Sequence, residues 1–87
     1  MNLNTVAALL TQPCQISAEL TGICTDSREL KPGSLFIAIR GERFDGHDFI
    51  KEAEAQGAIA AVVNYAVDGV SMPQFVVPDP IQALAKI

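Results

Sequence analysis

Two unbroken apolar runs with one amphipathic stretch between them constrain this chain more than any other feature. Residues 35–39 (LFIAI) and 59–63 (IAAVV) contain no polar residue, so each predicts a strand covered on both faces. The stretch between them reads as a helix. Asp45 is placed to cap it, Asp48 favours its positive N-terminal end, and Phe49, Ile50, Ala53 and Gly57 supply the inward face. Lys51, Glu52, Glu54 and Gln56 face out, and Gly57 suits the left-handed position that ends a helix. A strand–helix–strand order of this kind predicts a parallel pair joined by a right-handed crossover.

The remaining elements are shorter. Asn4 is read as the N-cap of a first helix with Val6, Leu9 and Leu10 on its buried face, fading near Thr11-Gln12-Pro13. Residues 19–25 read as extended, with Gly22 marking a bend. Lys31-Pro32-Gly33-Ser34 is the strongest turn signal, since proline presets φ and glycine accepts the positive φ of a type II turn. Residues 74–77 (QFVV) form a further short strand, and Asp79-Pro80 opens another helix with an aspartate cap and proline at its first position. The expected fold is α/β, a small mixed sheet with flanking helices. The expected organisation is one domain over residues 1–87, and a capped helix that stops at Ile87 reads as a cut from a longer chain.

Composition excludes several functions. With 49% hydrophobic and 18% charged residues the chain is a folded globular one. A net charge of -4 removes the basic face that general nucleic-acid binding requires. Four of the six basic residues, Arg28, Lys31, Arg40 and Arg43, lie within one segment, enough for one or two phosphates. Cys14 and Cys24 lack metal-ligand spacing, and no basic n-region or cleavage site marks a secretory leader. Both are expected reduced and at least half-buried, in a cytoplasmic protein without a membrane partner.

Catalytic arrangements are poorly supported. Ser27, His47 and an aspartate lack the G-x-S-x-G elbow of a hydrolase. Asp45, His47 and Asp48 crowd one helix start and do not converge as metal ligands. No G-x-x-x-x-G-K-[ST] loop is present to cradle nucleotide phosphates. No catalytic and no metal residue is therefore expected. Asp26-Ser27-Arg28 places a hydroxyl and a guanidinium at a strand end, where they suit the polar edge of a small ligand. The same residues suit an ion pair that stabilises the turn, and the pattern leaves both open. Glu42-Arg43-Phe44, between Gly41 and Asp45-Gly46, offers an aromatic for a flat ring and a cation for phosphate. On the residues alone, a solvated loop with Phe44 folded beneath it is the favoured reading.

These same residues carry a family resemblance. Thr25-Asp26-Ser27-Arg28, then 31–38 (KPGSLFIA), then 41–49 (GERFDGHDF), with Ala53, Gly57-Ala58 and 60–63 (AAVV) following, resemble the N-terminal domain of the Mur ligases. Those enzymes extend the UDP-N-acetylmuramoyl-peptide precursor of bacterial peptidoglycan. Residues 41–49 are most similar to the branch that adds D-alanyl-D-alanine, while the branch that adds the third residue shares D-S-R and D-G-H but differs at Glu42, Arg43 and Phe44. The resemblance implies that this domain binds the UDP end of the substrate through Thr25, Ser27, Glu42, Arg43 and Phe44, and less firmly Arg28. It further implies that ATP and Mg²⁺ belong to a central domain of the parent ligase, that no cofactor binds this part, and that the central and C-terminal domains are its partners. A free-standing nucleotide-sugar-binding module is the other use of such a domain.

Overall fold

The two apolar runs form the centre of a four-stranded sheet. The computed structural model describes residues 1–14 and 17–87. Its strands are β1 (Ile23–Cys24), β2 (Leu35–Ile37), β3 (Ala60–Val63) and β4 (Gln74–Val76), hydrogen-bonded in the order β1-β2-β3-β4. Leu35 pairs with Ala60, Phe36 with Ala61 and Ile37 with Val62; every ladder in the sheet is parallel. The expected α/β class with flanking helices holds, but the expectation of a mixed sheet does not. Every connection carries the chain back to the same end of the sheet. Only the β2–β3 connection contains a full α-helix, so the other two crossovers lack the helical period that announces a parallel pair in sequence.

Alternation along the central strands divides the core between the two faces of the sheet. Leu35, Ile37, Ala60, Val62 and Phe75 pack against Leu3, Val6, Ala7 and Leu10 of the first helix region and Ala83 of the last. Phe36, Ala38, Ala61 and Val63 pack on the other face against Ile50, Ala53, Leu30 and Met72. The helices are α1 (Leu3–Leu9), α2 (Ile50–Ala55) and α3 (Pro80–Lys86). Among the described residues, no helix is long and apolar enough to cross a membrane.

Helix α1 starts earlier than expected. Asn2, not Asn4, is its N-cap, and the Asn2 side chain accepts the Asn4 amide at 2.9 Å. This start makes Leu3, Val6, Ala7 and Leu10 one buried stripe at 3–4 spacing and turns Leu9 outward. Asp45 caps a 3₁₀ turn (Gly46–Phe49) ahead of α2 and not α2 itself, whose N-cap Phe49 makes no side-chain capping bond. The cap expected at Asp79 stands. Asp79 accepts the Ile81 amide at 3.0 Å, with Pro80 opening α3. Gly33 has φ +87° and Ser34 N–H donates to Lys31 at 3.2 Å, closing the Pro-Gly turn. Gly57 ends α2 at φ +105°, and its carbonyl accepts the Gly33 amide at 2.8 Å. The two glycines thus tie the start of β2 to the end of α2. Cys14 and Cys24 are half-buried, and the Cys24 thiol donates to the Asp26 carbonyl at 2.8 Å.

Candidate functional site

The carboxyl ends of β1 and β2 open into a cavity of about 410 Å³, lined by residues 25–28 and by Phe36, Phe44, Gly46 and Phe49. Parallel sheets place ligand sites outside the carboxyl ends of their strands, and this volume is in the range of small-molecule sites. The two polar segments singled out in the sequence meet here. Thr25, Ser27, Arg28 and Phe44 line the cavity; Glu42 and Arg43 lie exposed at the tip of the adjoining turn and do not.

On one wall, Asp26 caps a 3₁₀ turn (Ser27–Glu29), accepting the Arg28 amide at 2.9 Å. The Arg28 guanidinium reaches back to the same carboxylate, Nε to Oδ1 at 3.1 Å and Nη2 to Oδ2 at 2.9 Å. The turn-stabilising pair is therefore formed, yet the Arg28 side chain stays 83% exposed and its remaining N–H groups face solvent. The Arg28 guanidinium and amide hold the Asp26 carboxyl below the usual carboxylate range, and the carboxylate in turn raises the pKa of Arg28. Ser27 is buried, and neither its hydroxyl nor that of Thr25 makes a hydrogen bond to another described residue. Two unengaged hydroxyls at the mouth of a cavity are available to a ligand's polar edge.

The opposite wall is a tight turn. Arg40 and Asp45 pair as an isolated antiparallel bridge, and Gly41 N–H donates to the Phe44 carbonyl at 2.8 Å. Gly46 N–H donates to Ile39 at 2.9 Å, and a Cβ on Gly46 would lie 2.7 Å from the Ile39 nitrogen. The turn therefore rests directly on the end of β2. Phe44 is 54% exposed and meets Phe49 edge to face, ring centres 6.4 Å apart. Phe49 was expected on the inward face of the helix but stands at the cavity rim. Residues 46–49 form a 3₁₀ turn ahead of α2, and its three-residue period swings Phe49 off the buried stripe. Sequence reasoning also missed Phe36, Gly46 and Asp26 as lining residues. Phe36 alternates with Leu35 and Ile37, so only knowledge of which sheet face carries the cavity could have found it.

Behind this turn lies the chain's sole histidine. His47 is buried; Asn64 N–H donates to its Nε2 at 2.9 Å, so Nδ1 bears the proton and donates to Asp45 Oδ1 at 2.6 Å. Its ring stacks on Tyr65 with centres 4.0 Å apart, and the Tyr65 hydroxyl donates to Asp45 Oδ2 at 3.0 Å. Burial would raise the Asp45 pKa, but the His47 amide, the His47 ring and the Tyr65 hydroxyl together outweigh it and lower it. The same bond to Asp45 raises the Tyr65 pKa. Both imidazole nitrogens are committed, which leaves none to activate Ser27. Among the described residues, no three metal-binding side chains converge.

The profile described as "Mur ligase family, catalytic domain" matches residues 19–87. The chain belongs to the Mur ligase family. It is 47% identical over 70 residues to the UDP-N-acetylmuramoyl-tripeptide–D-alanyl-D-alanine ligase of Synechocystis sp., covering 78% of this chain and 15% of that enzyme. It is 48% identical over 71 residues to the UDP-N-acetylmuramoyl-L-alanyl-D-glutamate–2,6-diaminopimelate ligase of Aquifex aeolicus, covering 82% of the chain and 14% of the relative. The crystal structure of MurF from Acinetobacter baumannii superposes with a TM-score of 0.80 at 31% identity, over 95% of this chain and 19% of that one. The chain thus spans under a fifth of the length of these Mur ligases, and its parallel sheet with three helices is the fold of their N-terminal domain.

Proposed function

We propose that this Mur ligase domain grips the UDP end of a UDP-N-acetylmuramoyl-peptide in the cavity at the ends of β1 and β2. One observation carries the proposal: residues 25–28 and the turn bearing Phe44, distant in sequence, form the two walls of one cavity. The exposed face of Phe44 covers the uracil ring, and Phe49 fixes its tilt. Thr25 and Ser27 satisfy the polar edge of the base or ribose, and Arg28 turns its free N–H groups toward the diphosphate. Glu42 and Arg43, at the turn tip, close over the outer end of the ligand. Holding the remote nucleotide supplies orientation and binding energy that are spent at a reacting carboxylate elsewhere on the substrate.

In this reading the domain binds and the parent ligase catalyses. ATP, Mg²⁺ and the amide-forming step belong to the central and C-terminal domains of a cytoplasmic enzyme, and the 87-residue chain is inactive alone. The parent adds D-alanyl-D-alanine, a choice supported by residues 41–49. The third-residue-adding branch is the second reading, supported by the near-equal identity to the Aquifex ligase. An NMR titration with UDP-N-acetylmuramoyl-tripeptide, and with UDP alone as control, tests the site. Shifts should cluster at residues 25–28 and 41–46. Saturating ligand without shifts in either segment removes the site, and ligase turnover by the isolated chain removes the division of labour.

A further inference from the structure

His47 is one of the few buried polar side chains, and nothing in substrate binding as proposed above uses it. Its bonds nevertheless connect parts of the fold that no strand ladder joins. Through Nδ1 it holds Asp45, the residue that pairs with Arg40 to close the turn forming one cavity wall. Through Nε2 it holds the amide of Asn64, immediately after β3. The Asn64 side chain continues the chain of contacts, donating to the carbonyls of Val77 at 3.1 Å and Pro78 at 2.9 Å. The turn is thus anchored to the carboxyl ends of both β3 and β4, while the opposite wall hangs from β1.

We infer that His47 is a positioning residue for the nucleotide cavity, and that it sets how far the Phe44 wall stands from the Ser27 wall; this rests on the cavity being the ligand site. Its imidazole suits this task because a neutral ring offers one donor and one acceptor on opposite edges, rigidly spaced. Tyr65 also ties Asp45 to the segment after β3 through its hydroxyl, and His47 adds a second tie, from the same carboxylate to the Asn64 amide. Losing the ring's two bonds loosens the turn while leaving the Tyr65 bond at Asp45 and the sheet ladders in place.

The test needs no ligand for its first arm. Nitrogen–nitrogen coupling across the Asn64 N–H···Nε2 bond should be detectable in the unmodified chain, and its absence overturns the inference. Amide exchange is then compared at Gly41 and Gly46, which report the turn, and at Ala61, which reports the sheet. In His47→Phe, which keeps the stack on Tyr65 but neither bond, exchange at Gly41 and Gly46 should rise by about tenfold or more with Ala61 unchanged. In His47→Gln, whose carbonyl can accept the Asn64 amide, it should return to within roughly threefold of the original. Unchanged exchange at the turn, or acceleration at Ala61 by the same factor, overturns the inference, the latter because it marks a general core role. In the second arm, UDP affinity should follow the same order: highest for the original chain, intermediate for His47→Gln, lowest for His47→Phe. If UDP leaves the original chain unshifted, the ligand-site reading fails, and the exchange results still decide whether His47 sets the turn.

Discussion

In the proposed site, Phe44 separates recognition from stability. Its ring is more than half exposed and touches Phe49 at an edge, so Phe44→Ala should leave the urea midpoint nearly unchanged. Base–aromatic stacking contributes about 1–3 kcal/mol per base, so UDP affinity measured by titration calorimetry should fall roughly tenfold or more. Titration behaviour follows from the carboxylates. Asp26 and Asp45 both have lowered pKa values, so the unfolded chain binds more protons in the acid range. Their contribution to stability is complete above the unfolded value of about 4 and is lost as the pH falls through their folded values. Tyr65 has the opposite sign. Its pKa is raised, so its contribution holds below about pH 10 and disappears as the pH climbs through the folded value. Denaturation midpoints followed across pH should therefore fall at both extremes, and Tyr65→Phe should flatten the alkaline limb and, by removing one of the bonds that lower Asp45, soften the acid limb as well. The side-chain chemistry at residues 25–28 was legible in sequence, but its two uses were not separable. Asp26 and Arg28 form the pair and still leave Arg28 available, an outcome that depends on exposure and not on residue type.

At the scale of elements, the two central strands were legible because burial on both faces leaves an unbroken apolar run. The helix ends were legible where a cap has a single candidate, as at Asp79, and not where two asparagines compete, as at Asn2 and Asn4. Gly57 shows how tightly elements are joined. Its φ of +105° excludes ordinary side chains, and a Cβ there would lie 2.9 Å from the Pro32 Cα. Gly57→Ala should cost at least about 1–3 kcal/mol, read as a lower urea midpoint at unchanged slope. Gly33→Ala meets the movable Thr21 side chain at 2.9 Å in place of backbone, so its cost should be the smaller of the two. The 3₁₀ turn before α2 is the clearest case of a hidden element. A helical period carried through residues 45–57 puts Phe49 inside, and only the tighter first turn puts it at the cavity rim.

For the molecule as a whole, the sheet is the shared wall of two cores. Leu3 and Ile50 are both fully buried, on opposite faces. Leu3→Ala and Ile50→Ala should each cost about 2–5 kcal/mol, and each should lower one common transition seen by circular dichroism and by Tyr65 fluorescence. Separate transitions would show that the two faces fold independently. The β2–β3 direction was legible from its helical crossover, while the direction of β1 and β4 was the largest feature hidden from sequence, because the other two crossovers are turns and loops.

Phe36 belongs to the interior of the sheet and is also the floor of the cavity. In the proposed site, recognition and foldedness therefore draw on one side chain. A compound seated against that floor would press where escape by mutation is expensive, since a smaller residue opens a hole in the core and a larger one displaces α2. Inhibitors that stop at the rim, on Phe44 or Arg28, meet no such barrier. The depth to which a ligand reaches would decide how readily resistance to it arises.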